Sequence, residues 1–241
     1  MRNAVILAAG KGTRLKAVTG DLPKPMLPLH GRPLLDHVLD RLRAAGLERF
    51  VLVTGHGREA IERHYAGDAS VSFAYQEKPD GTGSAALAAR AAIGEAPFLL
   101  CFADVLADPE AIRRMCGRLG ADPLAAAILA VVHCDDPYQG AAVYEREGVL
   151  DRIVEKPPRG ASATNWNSAG LFAFRPPIFE TLARLPLSRR GEYELTEVFD
   201  ILLAEGRRVL VEPLSGDWRD VGRPEDIAPA ERITTRRPPR G

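Results

Sequence analysis

Neither sign of charge prevails in this chain of 241 residues: lysine plus arginine equals aspartate plus glutamate, 32 of each. Without a general basic field a nucleic-acid partner is not expected, and any attraction for phosphate has to be local. Cysteine is scarce as well. Cys101, Cys116 and Cys134 make an odd number at spacings that suit neither a disulfide framework nor a metal site. Cys101 lies in an apolar run and reads as a small buried hydrophobe. No stretch of 18 or more apolar residues occurs and the N-terminus lacks a signal-peptide pattern, so the expectation is a cytoplasmic protein with no membrane partner. The five histidines compose no triad or metal set: His30 reads as a turn residue, His56 and His133 as loop or core residues.

What is present is concentrated near the N-terminus, in residues 4–31, AVILAAGKGTRLKAVTGDLPKPMLPLHG. An apolar strand, Ala4 to Ala8, runs into a glycine-rich turn holding Lys11, Thr13 and Arg14, and Lys24 follows between two prolines. Bare backbone N–H groups, a guanidinium and an immobilised ammonium suit a polyphosphate chain. Two familiar phosphate loops are excluded. A Walker A loop needs Ser or Thr after Gly10-Lys11, where Gly12 stands, and the dinucleotide fingerprint needs glycine at position 15, where Leu15 stands. The glycines alone fit an ordinary strand-to-loop turn equally well; Arg14 and the Pro-Lys-Pro segment favour a nucleotide site. Pro23, Pro25 and Pro28 fix φ and push their predecessors into extended geometry, which predicts that Lys24 lies outside any helix.

Periodicity predicts strands at 3–8, 49–54, 71–76 and 97–103, and helices near 33–45, 57–65, 83–93 and 108–119. Leu34, Leu35, Val38, Leu39 and Leu42 form one helical stripe. This βαβα rhythm implies a mainly parallel sheet with helices on both faces, in which ligands gather beyond the carboxyl ends of the strands. The loop from Gly10 to Arg14 and Asp104 both follow predicted strands directly, so both are expected to face one crevice. After about residue 124 strands at 124–132, 139–146, 149–155 and 168–175 succeed one another with short connections, Gly148 marking a hairpin. A helix at 193–205, a strand at 207–213 and a short helix from Pro224 complete the reading. One large domain spanning residues 1–233 is expected, with halves at about 1–123 and 124–233, and a disordered basic tail at 234–241.

LAAGKGTRL followed by PKPMLPLHGRPLL resembles the opening signature of the sugar-phosphate nucleotidylyltransferases, and the likeness recurs in QEKPDGTGSA, FADV, YQGAAVY, IVEKP, NSAGLFAF, GEYELTEVF and DWRDVGRPEDI. The resemblance implies the Rossmann-like nucleotide-diphospho-sugar transferase fold, with a nucleotide-binding first half and an inserted, β-rich sugar-binding second half. No hexapeptide repeats follow, so a left-handed β-helix and acyltransferase activity are not expected. The implied reaction joins a sugar 1-phosphate to a nucleoside triphosphate and releases pyrophosphate. Glucose 1-phosphate with UTP or dTTP is the first expectation; a mannose- or heptose-1-phosphate guanylyltransferase and a catalytically silent regulatory relative are the alternatives. Homo-oligomers are common among such proteins.

The resemblance also assigns roles. Leu7, Ala8, Ala9, Gly10, Lys11, Gly12, Thr13 and Arg14 would cradle the nucleotide, with Gln76, Gly81 and Thr82 at its base. The Gln76 amide offers both a donor and an acceptor to the imide edge of uracil or thymine. Arg14, Lys24 and Lys156 would serve catalysis by neutralising phosphate charge. Asp104 and Asp220 would hold Mg²⁺, which typically takes one or two carboxylates besides phosphate and water oxygens. Gly140, Glu155, Lys156, Asn167, Ser168 and Glu192 would hold the sugar phosphate. One departure stands out: where many relatives have Asn-Ala-Gly this chain has Ser168-Ala169-Gly170, so the sugar contact at Ser168 is open, with Asn167 as a substitute. Two bland readings remain beside these roles, Asp104 as a cap after its strand and Thr82 or Ser84 as the N-cap of the next helix.

Overall fold

Asn3–Leu7 (β1) is buried along its whole length because it pairs in parallel with a strand on either side, which is why it reads as an unbroken apolar run. The computed structural model of the chain describes residues 1–10 and 12–234. The remaining strands are Pro28–Leu29 (β2), Arg32–Pro33 (β3), Arg49–Thr54 (β4), Val71–Tyr75 (β5), Phe98–Phe102 (β6), Val105–Ala107 (β7), Ala125–His133 (β8), Ala141–Arg146 (β9), Val149–Glu155 (β10), Trp166–Phe174 (β11), Arg208–Pro213 (β12) and Trp218–Asp220 (β13). Nine of them form one sheet in the order β5-β4-β1-β6-β11-β8-β12-β10-β9. All but β10 and β11 run the same way, as the mainly parallel reading requires.

The two halves expected around residue 124 share this sheet, because β11 lies antiparallel between β6 and β8. β9 also meets the start of β11, so the far edge curls back toward the centre. Successive side chains point to opposite faces: Ala4 and Ile6 enter one apolar core, Val5 and Leu7 the other. Helices Leu34–Ala44 and Pro109–Ala121 supply buried side chains to the first core, Ile178–Leu182 and Glu197–Ala204 to the second. Cys101 is fully enclosed and burial pushes its thiol far above the usual range, in keeping with its reading as a hydrophobe.

Several expectations change. The helix expected from residue 193 begins at Glu197, because the backbone before it is occupied by long-range hydrogen bonds. The helix expected at 83–93 is two pieces, Thr82–Ala88 and Arg90–Ile93. Helix Ile178–Leu182 and the small ladder of β7 with β13 have no counterpart in the sequence reading. Thr234, placed in the tail, ends helix Ile227–Thr234, with its hydroxyl donating to the Glu231 carbonyl. Lys11 and residues 235–241 lie outside the described residues.

Candidate active site

The chain leaves β1 at Leu7 with its neighbours still attached: Ala8 N donates to Val53 O (2.9 Å) and Ala103 N to Leu7 O (3.1 Å). Gly12 takes φ +59°, and a Cβ there would fall 2.6 Å from Lys24 Cβ, so only glycine lets this loop close over Lys24. Thr13–Leu15 makes one 3₁₀ turn, with Leu15 buried beneath it as an anchor. Contrary to expectation, Lys24 begins a helix, the 3₁₀ turn Lys24–Met26. Pro23 stays extended as its N-cap, and the closing bond, Leu27 N to Lys24 O (3.0 Å), needs no N–H from Pro25. The bracketing prolines therefore fix Lys24 in a turn rather than in an extended strand.

Leu7–Gly10, Gly12–Arg14, Lys24, Gln76, Gly81, Thr82 and Asp104 all line one cleft of about 540 Å³. Every residue expected at the nucleotide is there except Lys11, which is not described. Asp104 follows β6 and is no helix cap: the next helix is capped by Asp108, whose Oδ1 accepts from Glu110 N (2.8 Å). The Thr82 hydroxyl likewise caps nothing and accepts from Leu195 N (3.0 Å). Gln76 Nε2 donates to Gly81 O and to Ser84 Oγ, both at 2.8 Å. Both amide hydrogens are thus spent, and the expected pairing through donor and acceptor reduces to the acceptor, Oε1.

Asp104 and Asp220 meet because β7 pairs with β13, placing Asp220 opposite Val105, while Val221 N donates to Asp104 O (3.0 Å). Lys24 Nζ forms a largely buried ion pair with Asp104. Asp220 keeps contact with solvent, yet crowding by the cleft walls, and then the neighbouring charge of Asp104, push its carboxyl up to about 7. Two hard carboxylate oxygens brought together at the price of their own repulsion are a donor set that fits Mg²⁺. In the metal-free protein the folded state holds this proton where the unfolded chain has released it. Stability should therefore fall as pH rises from 3.8, the ordinary value, to about 7. Thermal melts in chelator should show a shallower fall for Asp220→Asn than for the parent; identical slopes would assign the effect elsewhere.

A second cleft, of about 270 Å³, is lined by Gly140, Glu155, Lys156, Asn167, Ser168 and Glu192 together with both aspartates. Lys156 takes φ +43°, a rare conformation for a side-chain-bearing residue, held by its N–H to Gly140 O (2.7 Å). Glu155 accepts from the Thr196 hydroxyl (3.0 Å), and burial raises its pKa. Asn167 Nδ2 is tied to Ser168 O, while its Oδ1 is buried, without a partner among the described residues, against the bare Cα side of Gly140. Ser168 Oγ accepts, among the described residues, one long bond, from Gly170 N (3.5 Å). Arg190, Glu194 and Thr196 also line this cleft and were missed by the sequence reading. Arg190 pairs with Glu194 and lies 3.8 Å from Glu155 and 3.7 Å from Glu192. The available signal was an arginine separated only by Gly191 from the Glu-x-Glu run at 192–194.

A strap of backbone bonds joins the clefts: Gly83 N to Tyr193 O (2.7 Å) and Tyr193 N to Asp80 O (2.8 Å). Thr82, Phe102, Asp104 and Glu192 line both.

The nucleotidyl transferase family model matches residues 3–237. The chain is 35% identical over 234 residues to the UTP–glucose-1-phosphate uridylyltransferase AglF of Haloferax volcanii, covering 95% of this chain and 94% of that protein. It is 31% identical over 229 residues to the bifunctional protein GlmU of Methanococcus maripaludis, of whose length it spans 53%. A crystal structure of UDP-glucose pyrophosphorylase with UDP-glucose superposes with a TM-score of 0.86 at 24% identity, over 98% of both chains. The chain belongs to the nucleotidyl transferase family.

Proposed function

We propose that this protein is a Mg²⁺-dependent sugar-1-phosphate nucleotidylyltransferase that joins glucose 1-phosphate to UTP or dTTP and releases pyrophosphate. The observation that carries this reading is the junction of two clefts at Asp104, with cationic side chains from both halves around it. Transfer requires two polyanions to meet in line, so the protein's contribution is charge neutralisation and alignment rather than a covalent intermediate. On the nucleotide side Gly10–Arg14 and Lys24 receive the triphosphate. On the acceptor side Lys156 holds the phosphate of the sugar, and Glu155, Asn167 and Glu192 accept from or donate to its hydroxyls. Bound at Asp104 and Asp220, Mg²⁺ would supply positive charge to the reacting phosphates.

The Gln76 Oε1, without a partner among the described residues, favours a base that presents an N–H. Uracil and thymine do so at N3 and guanine at N1, whereas cytosine and adenine offer lone pairs at the matching positions. The uridylyltransferase activity of the Haloferax protein supports a uridylyl donor. That Arg14, Lys24, Asp104, Lys156 and Asp220 all stand in the clefts argues against a silent relative.

Pyrophosphate release should be measured with each nucleoside triphosphate against a panel of sugar 1-phosphates. The expected result is turnover with UTP or dTTP and glucose 1-phosphate. Release only with GTP and mannose or heptose 1-phosphate would establish the rival donor and acceptor. Silence with every pair would overturn the enzymatic reading.

A further inference from the structure

Arg41 lies on helix Leu34–Ala44 among the leucines that bury its inner face, and is itself only 7% exposed. An aliphatic side chain would fill that space without the penalty of enclosing a charge, and burial does pull the pKa of this guanidinium down. What the arginine does there is specific. Its NH1 donates to Ala107 O (3.1 Å), the last carbonyl of β7, and its NH2 to Ile233 O (2.8 Å), in the last turn of helix Ile227–Thr234. The carboxylates whose charges act on it are Asp217 and Asp108. Asp217 immediately precedes β13 and Asp108 immediately follows β7, so both stand at the same end of the small ladder.

That ladder has three residue pairs, Trp218 with Ala107, Arg219 with Leu106 and Asp220 with Val105. A two-stranded ribbon of this length does not hold its register unaided. At one end it presents Asp104 and Asp220 to the clefts; at the other, Arg41 grips one strand directly and the second through the helix that follows it. The Trp218 indole adds one further tie, donating to Ala169 O (3.0 Å).

We propose that Arg41 is a positioning residue for the carboxylate pair: by bracing the far end of the ladder it sets the separation of Asp104 and Asp220, and with it the affinity of the site for a divalent cation. The inference rests on the reading of those two aspartates as metal ligands. Groups that hydrogen-bond a metal ligand directly alter metal affinity by about ten- to hundredfold, and Arg41, acting through the ladder, belongs at the lower end of that range.

The test is titration of the purified protein with Mn²⁺ followed by electron paramagnetic resonance, below the melting midpoint of every variant. Arg41→Met keeps the volume and removes the fork, and should weaken Mn²⁺ binding about tenfold. Arg41→Lys retains the charge but not the planar fork, and should recover part of the loss. Arg175→Met is the control for simple destabilisation. Arg175 also donates to backbone carbonyls, those of Leu119, Asp122 and Ala125, but at the end of β11 away from the clefts. It should lower the melting midpoint and leave Mn²⁺ affinity unchanged. Should Arg41→Met fail to fold, weakened binding by natively folded Arg41→Lys carries the test alone. Parental affinity in the folded Arg41 variants, with binding lost in Asp104→Asn, overturns the role of Arg41 only. Parental affinity in Asp104→Asn overturns the metal reading beneath it.

Discussion

Replacing Lys24 with alanine should lower turnover at least about a hundredfold, the scale on which removal of one preorganised electrostatic stabiliser operates. The size of the effect follows from how little freedom this lysine has. Pro23 fixes the entry to its turn, Pro25 follows it, and the backbone of Gly12 lies against its Cβ. Its ammonium reaches the first cleft already oriented and paired with Asp104, so little ordering would be left to be done when the proposed triphosphate arrives. Alanine removes a cation from the proposed meeting point of two anions and takes from Asp104 its ion-pair partner among the described residues. Rates of pyrophosphate release at saturating substrate decide the matter; a rate close to the parent's would take Lys24 out of the mechanism.

Asp104→Asn should be equally damaging, again by about a hundredfold or more. The substitution keeps the shape and removes the charge, so a loss of rate cannot be laid to packing. A second consequence follows from the pair. The Asp220 carboxyl is held up to about 7 partly by the charge of Asp104, and with that charge gone its pKa should drop. Carboxyl titration by NMR in the metal-free protein reads this directly. Near-parental turnover, or an unmoved Asp220, would show that the two side chains do not act as a pair.

The legibility of the sequence was uneven for physical reasons. β1, β4 and β6 are buried on both faces and flanked by amphipathic helices, so their apolar runs announced a parallel sheet. The glycine turn after β1 was visible because its residue types are needed for main-chain approach. By contrast, β7 and β13 have only three residues each, too few for a period to show, yet they bring Asp104 and Asp220 together. Motif resemblance paired those residues; spacing could not. The late start of helix Glu197–Ala204 depends on Tyr193 bonding to Asp80 and Gly83, partners more than a hundred positions away that no local window contains. Arg190 and Arg41 were hidden for another reason: a charged residue in sequence carries no mark of whether its neighbours in space are carboxylates, carbonyls or water. For Ser168, the departure noted in the sequence, the structure puts Asn167 on the same wall, with an unengaged carbonyl oxygen.

The backbone strap between Asp80–Gly83 and Tyr193 leaves the protein without separable specificity modules. Gly81 lines one compartment and residues 194–196 line the other, yet the peptides that carry them are laced edge to edge. Under the proposed function, remodelling residues 192–196 to admit a different glycosyl group would therefore drag on residues 80–83 beside the nucleotide, and the two choices would have to be re-engineered, or to evolve, in concert.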